Sequence, residues 1–154
     1  MSIEIVREYL KKFDAEDRIL EFPVSSATVE LAAQAAGVIP ARIAKTMSFK
    51  IGDDCVLVVL AGDAKVDNAK YKAVFKTKAK MLTPEEVVTL TNHAVGGVCP
   101  FAIPENVKTF LDESLKRFDT VFPACGSSNS AIELSCKELE TYSNAAGWVD
   151  ISKL

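Results

Sequence analysis

Ile43-Ala-Lys-Thr-Met-Ser-Phe-Lys-Ile51, Gly52-Asp53-Asp54 and Cys55-Val-Leu-Val-Val-Leu-Ala61 form the stretch whose reading decides the fold. Two runs rich in aliphatic and β-branched residues flank a turn signal at 52–54, which predicts a β-hairpin. Working back, Thr28 can cap a helix through Val29, Ala32, Ala33 and Ala36, and Gly37 can end it in the left-handed conformation. Arg18 to Phe22 reads as a short strand ending at Pro23, and Ile3, Val6, Leu10 and Phe13 recur at helical spacing over 3–14. Working forward, Gly62-Asp63 is a turn, 67–75 a short helix and 77–82 a strand. Thr83-Pro84-Glu85-Glu86 is a capping box with proline at the first helical position. Residues 96–100 read as a loop, 107–111 and 120–123 as extended, and 113–118 as a helical turn. A polar turn at 125–130 precedes a strand at 131–134, and Ser135 to Glu138 is a second capping box opening a helix to about Tyr142. A last strand is expected at 149–151. Strands and helices are interspersed without regular βαβ units. The pattern predicts an α+β fold, a mixed and mostly antiparallel sheet flanked by helices, in a single domain over 1–154.

The composition of the 154 residues, 49% hydrophobic and 25% charged, excludes a disordered or collagen-like chain. The longest apolar run, 55–61, is far short of the roughly 20 residues that a membrane helix needs. No basic-then-apolar leader opens the chain, so a cytoplasmic protein without membrane association is expected. The cysteines Cys55, Cys99, Cys125 and Cys136 form no C-x-x-C pair, and His93 is the single histidine. That spacing predicts reduced thiols and no metal site. Dinucleotide, Walker A, H-E-x-x-H and G-x-S-x-G signatures are absent, and no cofactor is expected.

The net charge of −3 is unevenly spread. Residues 64–80 hold six lysines (65, 70, 72, 76, 78 and 80) and one aspartate, a local +5 that leaves −8 on the remainder. Such a segment either contacts phosphates or is a solvated face guarding an edge strand. Lys45 shares its alternation face with Ile43, Met47 and Phe49. It therefore either lines a cleft with a partner or snorkels outward from a strand start. Three polar loops, 61–63, 93–101 and 123–130, could bring backbone N–H groups to a ligand or simply be tight turns. Cys125 or Cys99 with His93 would make a nucleophilic pair only if the fold put them in contact.

Several segments together resemble the YbaK/prolyl-tRNA-synthetase-associated domain family, the aminoacyl-tRNA deacylases that edit mischarged tRNA. They are Thr28-Val-Glu-Leu-Ala-Ala33, Ile43-Ala-Lys-Thr46, Ala61-Gly-Asp63, Lys70, Val95-Gly-Gly-Val-Cys-Pro-Phe101, Asp112-Glu-Ser-Leu115 and Pro123-Ala-Cys-Gly-Ser-Ser-Asn-Ser-Ala-Ile-Glu-Leu134. The match runs from about residue 20 to the C-terminal helix. The resemblance implies a partly barrel-like mixed sheet and hydrolysis of the ester joining an amino acid to the tRNA 3′ adenosine. It implies that Lys45 holds the charged 3′ end and that Gly96 and Gly97 surround the reacting carbonyl. Thr28, Asp63, His93, Val98, Cys99, Pro100, Cys125, Gly126, Ser127 and Ser128 would complete the substrate site. The lysine window then reads as an acceptor-stem contact through Lys65, Lys70, Lys72 and Lys76. The implied partners are aminoacyl-tRNA and a synthetase or other tRNA carrier, not DNA. Related sequences often read Gly-His-Pro-Val-Gly-Gly-Val-Cys-Pro-Phe-Gly, where this chain has Asn92, Ala94 and Ala102.

An aminoacyl ester is already activated, so positioning, oxyanion binding and size exclusion suffice without a metal. The expected activity is trans-editing of a small mischarged amino acid, such as Ala, Cys, Ser or Thr, on tRNA(Pro) or a related tRNA. A non-catalytic tRNA- or synthetase-binding module of the same fold is the alternative, and a cysteine-dependent hydrolase a third.

Overall fold

A computed structural model describes residues 2–154. The hairpin forms as read: β2 (Ile43–Ile51) and β3 (Asp54–Ala61) pair antiparallel from Ala44↔Ala61 to Ile51↔Asp54. Five further segments matter to the frame: β5 (Lys108–Asp112), β6 (Thr120–Pro123), β7 (Ser130–Ile132), β8 (Leu134–Ser135) and β9 (Gly147–Val149). The main sheet runs β8-β6-β2-β3-β5-β9 and curls into a half-barrel. Two short antiparallel ladders flank it, β1 (Ile19–Glu21) with β7 and β4 (Lys65–Val66) with β10 (Ser152–Lys153). Four of the seven pairings are antiparallel, as expected, but β2–β6, β3–β5 and β5–β9 are parallel. Parallel neighbours need long crossovers. The one from β3 to β5 carries α3 (Asn68–Phe75), α4 (Pro84–Thr91) and the glycine loop.

β3 is central, so its apolar sequence is buried on both faces. Val56, Val58 and Leu60 join the main core, while Cys55 and Leu57 meet Leu82, Val87 and Val107 on the α4 side. A third cluster packs Ala32 and Ala33 of α2 (Val29–Ala36) on Ile43, Phe122 and Ala131. The caps form where the sequence places them. The Thr28 hydroxyl accepts from the Leu31 N–H, Gly37 ends α2 at φ 72°, and both capping boxes close, Thr83 with Glu86 and Ser135 with Glu138. The latter opens α5 (Cys136–Tyr142). The N-terminal helix α1 (Ser2–Leu10) tightens into a 3-10 turn at Lys11–Phe13.

The expected strand at 77–82 does not form. Only Met81 bridges β2, opposite Phe49, with the Lys50 N–H on the Lys80 carbonyl (2.7 Å) and the Leu82 N–H on the Ser48 carbonyl (3.3 Å). Lys76, at φ 64°, ends α3, and Thr83 already caps α4, which leaves room for a single rung. The stretch 131–134 is divided rather than continuous: β7 joins β1, β8 joins β6, and Glu133 is the switch between sheets. The last strand is likewise split between β9 and β10 around Ile151, whose N–H is held by Asp112 at 2.9 Å. No helix among the described residues is long and apolar enough to cross a membrane.

Candidate functional site

β6 pairs with β2 only at Ile43 and Ala44, and the 81 bridge touches it only at Phe49. Between them the outer edge of β2 carries no partner strand among the described residues. A cleft of about 300 Å³ opens there, with Lys45, Thr46 and Ser48 on its β2 side. Ala27, Thr28 and Val29 form the α2 wall, Met81 and Leu82 one rim, and Val95, Gly96 and Val98 the glycine-loop wall.

Lys45 is half-buried, and its Nζ donates to the carbonyls of Gly62 (3.3 Å) and Ala64. Of the two alternatives the sequence left open, the lysine takes the one with both a cleft and partners. Burial pulls its pKa below the ordinary lysine value, while the nearby Asp63 and Glu30 charges oppose that shift. The accepting turn is itself fastened. The Ala64 N–H closes on the Ala61 carbonyl (3.0 Å), and the Ala61 N–H donates to Ser114 Oγ (3.1 Å). A Cβ on Gly62 would lie 2.1 Å from the Pro40 carbonyl oxygen, so only glycine fits. Asp63 is outside the cleft, held by the Arg117 guanidinium at 2.6 and 3.0 Å, which keeps its carboxyl below the usual carboxylate range. Asp112, fully buried, accepts from the Ser114 N–H (2.9 Å) and from Ser152 Oγ (2.6 Å), anchoring the segment that carries Ser114. Asp63 thus sits in the turn that carries the lysine's acceptors and is paired there with Arg117.

The neighbouring Thr46 presents a buried Oγ1 that no protein atom partners among the described residues. A buried polar atom without a partner is costly unless a ligand or water satisfies it. Alternation alone sets Thr46 on the face opposite Lys45, which is why the sequence did not single it out.

The two glycines of the loop do different work. Gly96, at φ 93°, lines the cleft, and a Cβ there would lie 3.7 Å from the Ala27 Cβ. Gly97 does not line it. Its N–H closes a turn on the Ala94 carbonyl (3.0 Å), and a Cβ would meet the Gly126 carbonyl at 2.8 Å. Gly97 is therefore a packing glycine whose amide is already used, set behind the cleft lining and not in it. The third segment is tied in by the Ser26 N–H, 2.6 Å from the Ser128 carbonyl. Ser127 Oγ lies 2.6 Å from Ser130 Oγ, so its hydroxyl is engaged within the loop. Gly126, Ser127 and Ser128 support the wall, and the Ala124 and Ser130 beside them line it.

Asn92 and Ala102, which stand where related sequences have glycine, adopt φ 67° and φ 57°. The loop keeps the left-handed turns that glycine would take freely; asparagine tolerates the conformation and alanine is strained in it.

His93 Nε2 lies 2.8 Å from the Phe101 carbonyl and 3.6 Å from Cys99 Sγ. A carbonyl only accepts, so Nε2 carries the proton and cannot take one from the thiol. Burial pushes the Cys99 thiol up to about 12 and raises Cys125 as well, and neither has any exposed surface. The thiol–imidazole pair is thus in contact but unfit as a nucleophile. His93, Cys99, Pro100 and Cys125, expected at the substrate, are all buried and do not line the cleft. Thr28 and Val98 do line it.

None of the expected tRNA lysines reaches the cleft. Lys70 is bound to Asp150 (3.1 Å) and the Ser152 carbonyl (2.8 Å), and Lys76 to the Ala73 carbonyl (2.8 Å). Lys65 sits on β4 opposite Lys153, and Lys72 borders a second hollow. Among the described residues no group of three or more His, Cys, Asp or Glu side chains could hold a metal ion.

Residues 24–142 match the aminoacyl-tRNA editing domain, and the chain belongs to that family. It is 51% identical over 154 residues to the uncharacterized protein YwhH of Bacillus subtilis, covering 99% of this chain and 98% of that one. It is 30% identical over 111 residues to the proline–tRNA ligase of Thermotoga maritima, covering 71% of this chain but only 19% of the ligase. A crystal structure described as a candidate trans-editing enzyme for prolyl-tRNA synthetase superposes with a TM-score of 0.88 at 28% identity, covering 99% and 98% of the two chains.

Proposed function

We propose that this chain hydrolyses the ester of mischarged aminoacyl-tRNA in trans, acting on a small amino acid carried by tRNA(Pro) or a related tRNA. The observation that carries this reading is the half-buried Lys45 at a cleft whose opposite wall is the Gly96 loop. The cation, pinned by two carbonyls, keeps one N–H direction for the charged 3′ end. Thr46 Oγ1 offers an unspent polar group to the aminoacyl moiety. The amides of Gly96 and Val98, which make no main-chain bond among those described, are available to a developing oxyanion. A cleft of about 300 Å³, walled by Val29, Ala32 and Val98, favours a short side chain. The reaction needs no metal on this reading, since the ester is activated: a water attacks its carbonyl carbon with a terminal ribose hydroxyl assisting, and the amino acid leaves as its carboxylate while the ribose oxygen departs as a hydroxyl.

The test is a deacylation panel on tRNA(Pro) charged with Ala, Cys, Ser or Pro, and on Ser- and Ala-charged forms of other tRNAs, with wild type beside Lys45→Ala. Fast loss of one mischarged species, abolished in Lys45→Ala, supports the reading and names the substrate. Saturable tRNA binding without hydrolysis of any species rejects it in favour of a binding module.

A further inference from the structure

Residues 68–82 contain five lysines and no carboxylate. Within that stretch Lys70 and Lys76 are already bound to protein acceptors. Lys72 and Lys78 are exposed, their ammonium groups engage in no ion pair or hydrogen bond among the described residues, and both border a hollow shared with Asn68, Ala69 and Ala79. The hollow has a volume of about 450 Å³. Both carboxylates at the N-terminal end of α3 are engaged: Asp67 caps the helix by accepting from the Lys70 N–H at 3.1 Å, and Asp150 pairs with the Lys70 ammonium at 3.1 Å. Three residues beyond Lys78 the chain reaches Met81 on the rim of the cleft. At no more than about 3.6 Å per residue, at most about 11 Å of chain separates the hollow from the rim.

We infer that Lys72 and Lys78 form a phosphate subsite that holds the sugar–phosphate backbone of the acceptor strand as it leaves the cleft past Met81. The inference rests on the proposed deacylase reading for its substrate. It replaces a diffuse lysine face with one concave place and two unspent cations. Nucleic-acid backbone fits because compact ammonium groups attract phosphate oxygens without demanding base identity. The site therefore contributes affinity common to all tRNAs, while the cleft alone reads the amino acid. With a net charge of −3 on the whole chain, attraction of a polyanion falls to local positive charge such as this.

The experiment compares wild type, the double variant Lys72→Ala/Lys78→Ala, and a charge-matched control, Lys108→Ala/Lys137→Ala, away from the hollow. Three readouts are taken: kcat and KM on full-length mischarged tRNA, hydrolysis of the matching aminoacyl-adenosine, and salt dependence of uncharged-tRNA binding. In Lys72→Ala/Lys78→Ala, KM for tRNA is expected to rise about tenfold with kcat unchanged, and the log–log salt slope to fall by about 1.5–2. Hydrolysis of aminoacyl-adenosine, which has no backbone beyond the nucleoside, stays at the wild-type rate. A salt slope and KM equal to wild type, or an equal loss in the control, overturns the inference. If wild type hydrolyses nothing, the deacylase reading fails, and the salt slope on uncharged tRNA still decides the subsite.

Discussion

The Arg117 guanidinium grips the Asp63 carboxylate with two hydrogen bonds, 2.6 and 3.0 Å long, from 54 residues further along the chain. Its Nε also donates to the Ser114 carbonyl at 2.9 Å. Ser114 Oγ in turn receives the Ala61 N–H. The turn whose carbonyls hold Lys45 is thus fastened at both ends, so Arg117 is a positioning residue for a side chain it does not touch.

Arg117→Gln is expected to lower deacylation by about three- to tenfold while costing less than about 1 kcal/mol of stability, because the ion pair is more than a third exposed and screened. Denaturant titration alongside single-turnover rates checks this. A stability loss above 3 kcal/mol with unchanged rates would show a purely structural clamp.

The rate of wild type should fall at alkaline pH as Lys45 deprotonates, with the limb below the ordinary value of 10.5 because burial disfavours the cation. Asp63 raises the Lys45 pKa, so Asp63→Asn removes that support and moves the limb to lower pH. A pH–rate profile of both proteins measures the shift; a limb that stays in place or moves upward contradicts the electrostatic link.

Ala102→Gly should stabilise the protein. At φ 57° alanine bears a left-handed penalty of about 1–2 kcal/mol, partly offset by the added freedom of glycine in the unfolded chain. A net gain of about 0.5–1 kcal/mol corresponds to a Tm increase of roughly 1–4 °C for a chain of this size. Calorimetry of the two proteins decides it, and an unchanged or lower Tm would mean the loop carries no such strain.

His93 gives the fold an acid-sensitive wall. Its Nδ1 is buried without a partner among the described residues, and burial lowers its pKa from 6.5. Between the folded and unfolded values the unfolded chain binds more protons. The stability contributed is therefore complete above about 6.5 and lost as pH falls through the folded value. His93→Gln can keep a donor to the Phe101 carbonyl without a titrating group. Between about pH 7.5 and pH 5 its Tm should fall less than that of wild type; parallel curves would exonerate the histidine.

Much of the frame was legible because its signals are local. The hairpin turn, both capping boxes and the Gly37 stop each depend on residues within a few positions of one another. The strand expected at 77–82 failed because alternation says nothing about how much edge is left to pair, and here Lys76 and Thr83 leave one rung. In the site, motif resemblance and alternation pointed to Lys45, Gly96, Thr28 and Val98 at the cleft. The same motif carried Gly97, His93, Cys99 and Cys125, which serve the wall from behind; a motif marks residues needed by a loop without separating contact from support.

The sequence by itself determined the central hairpin, the helix caps and the charge segregated into 64–80, since each follows from spacing along the chain. Only the tertiary structure decided that the edge of β2 stays open beside Lys45, that Gly97 abuts Gly126, that Arg117 holds Asp63, and that Lys72 and Lys78 are unspent while Lys70 and Lys76 are not. Most of these are contacts between residues far apart in sequence. They are selected by packing the whole sheet and its crossovers together, and no local pattern encodes the partner.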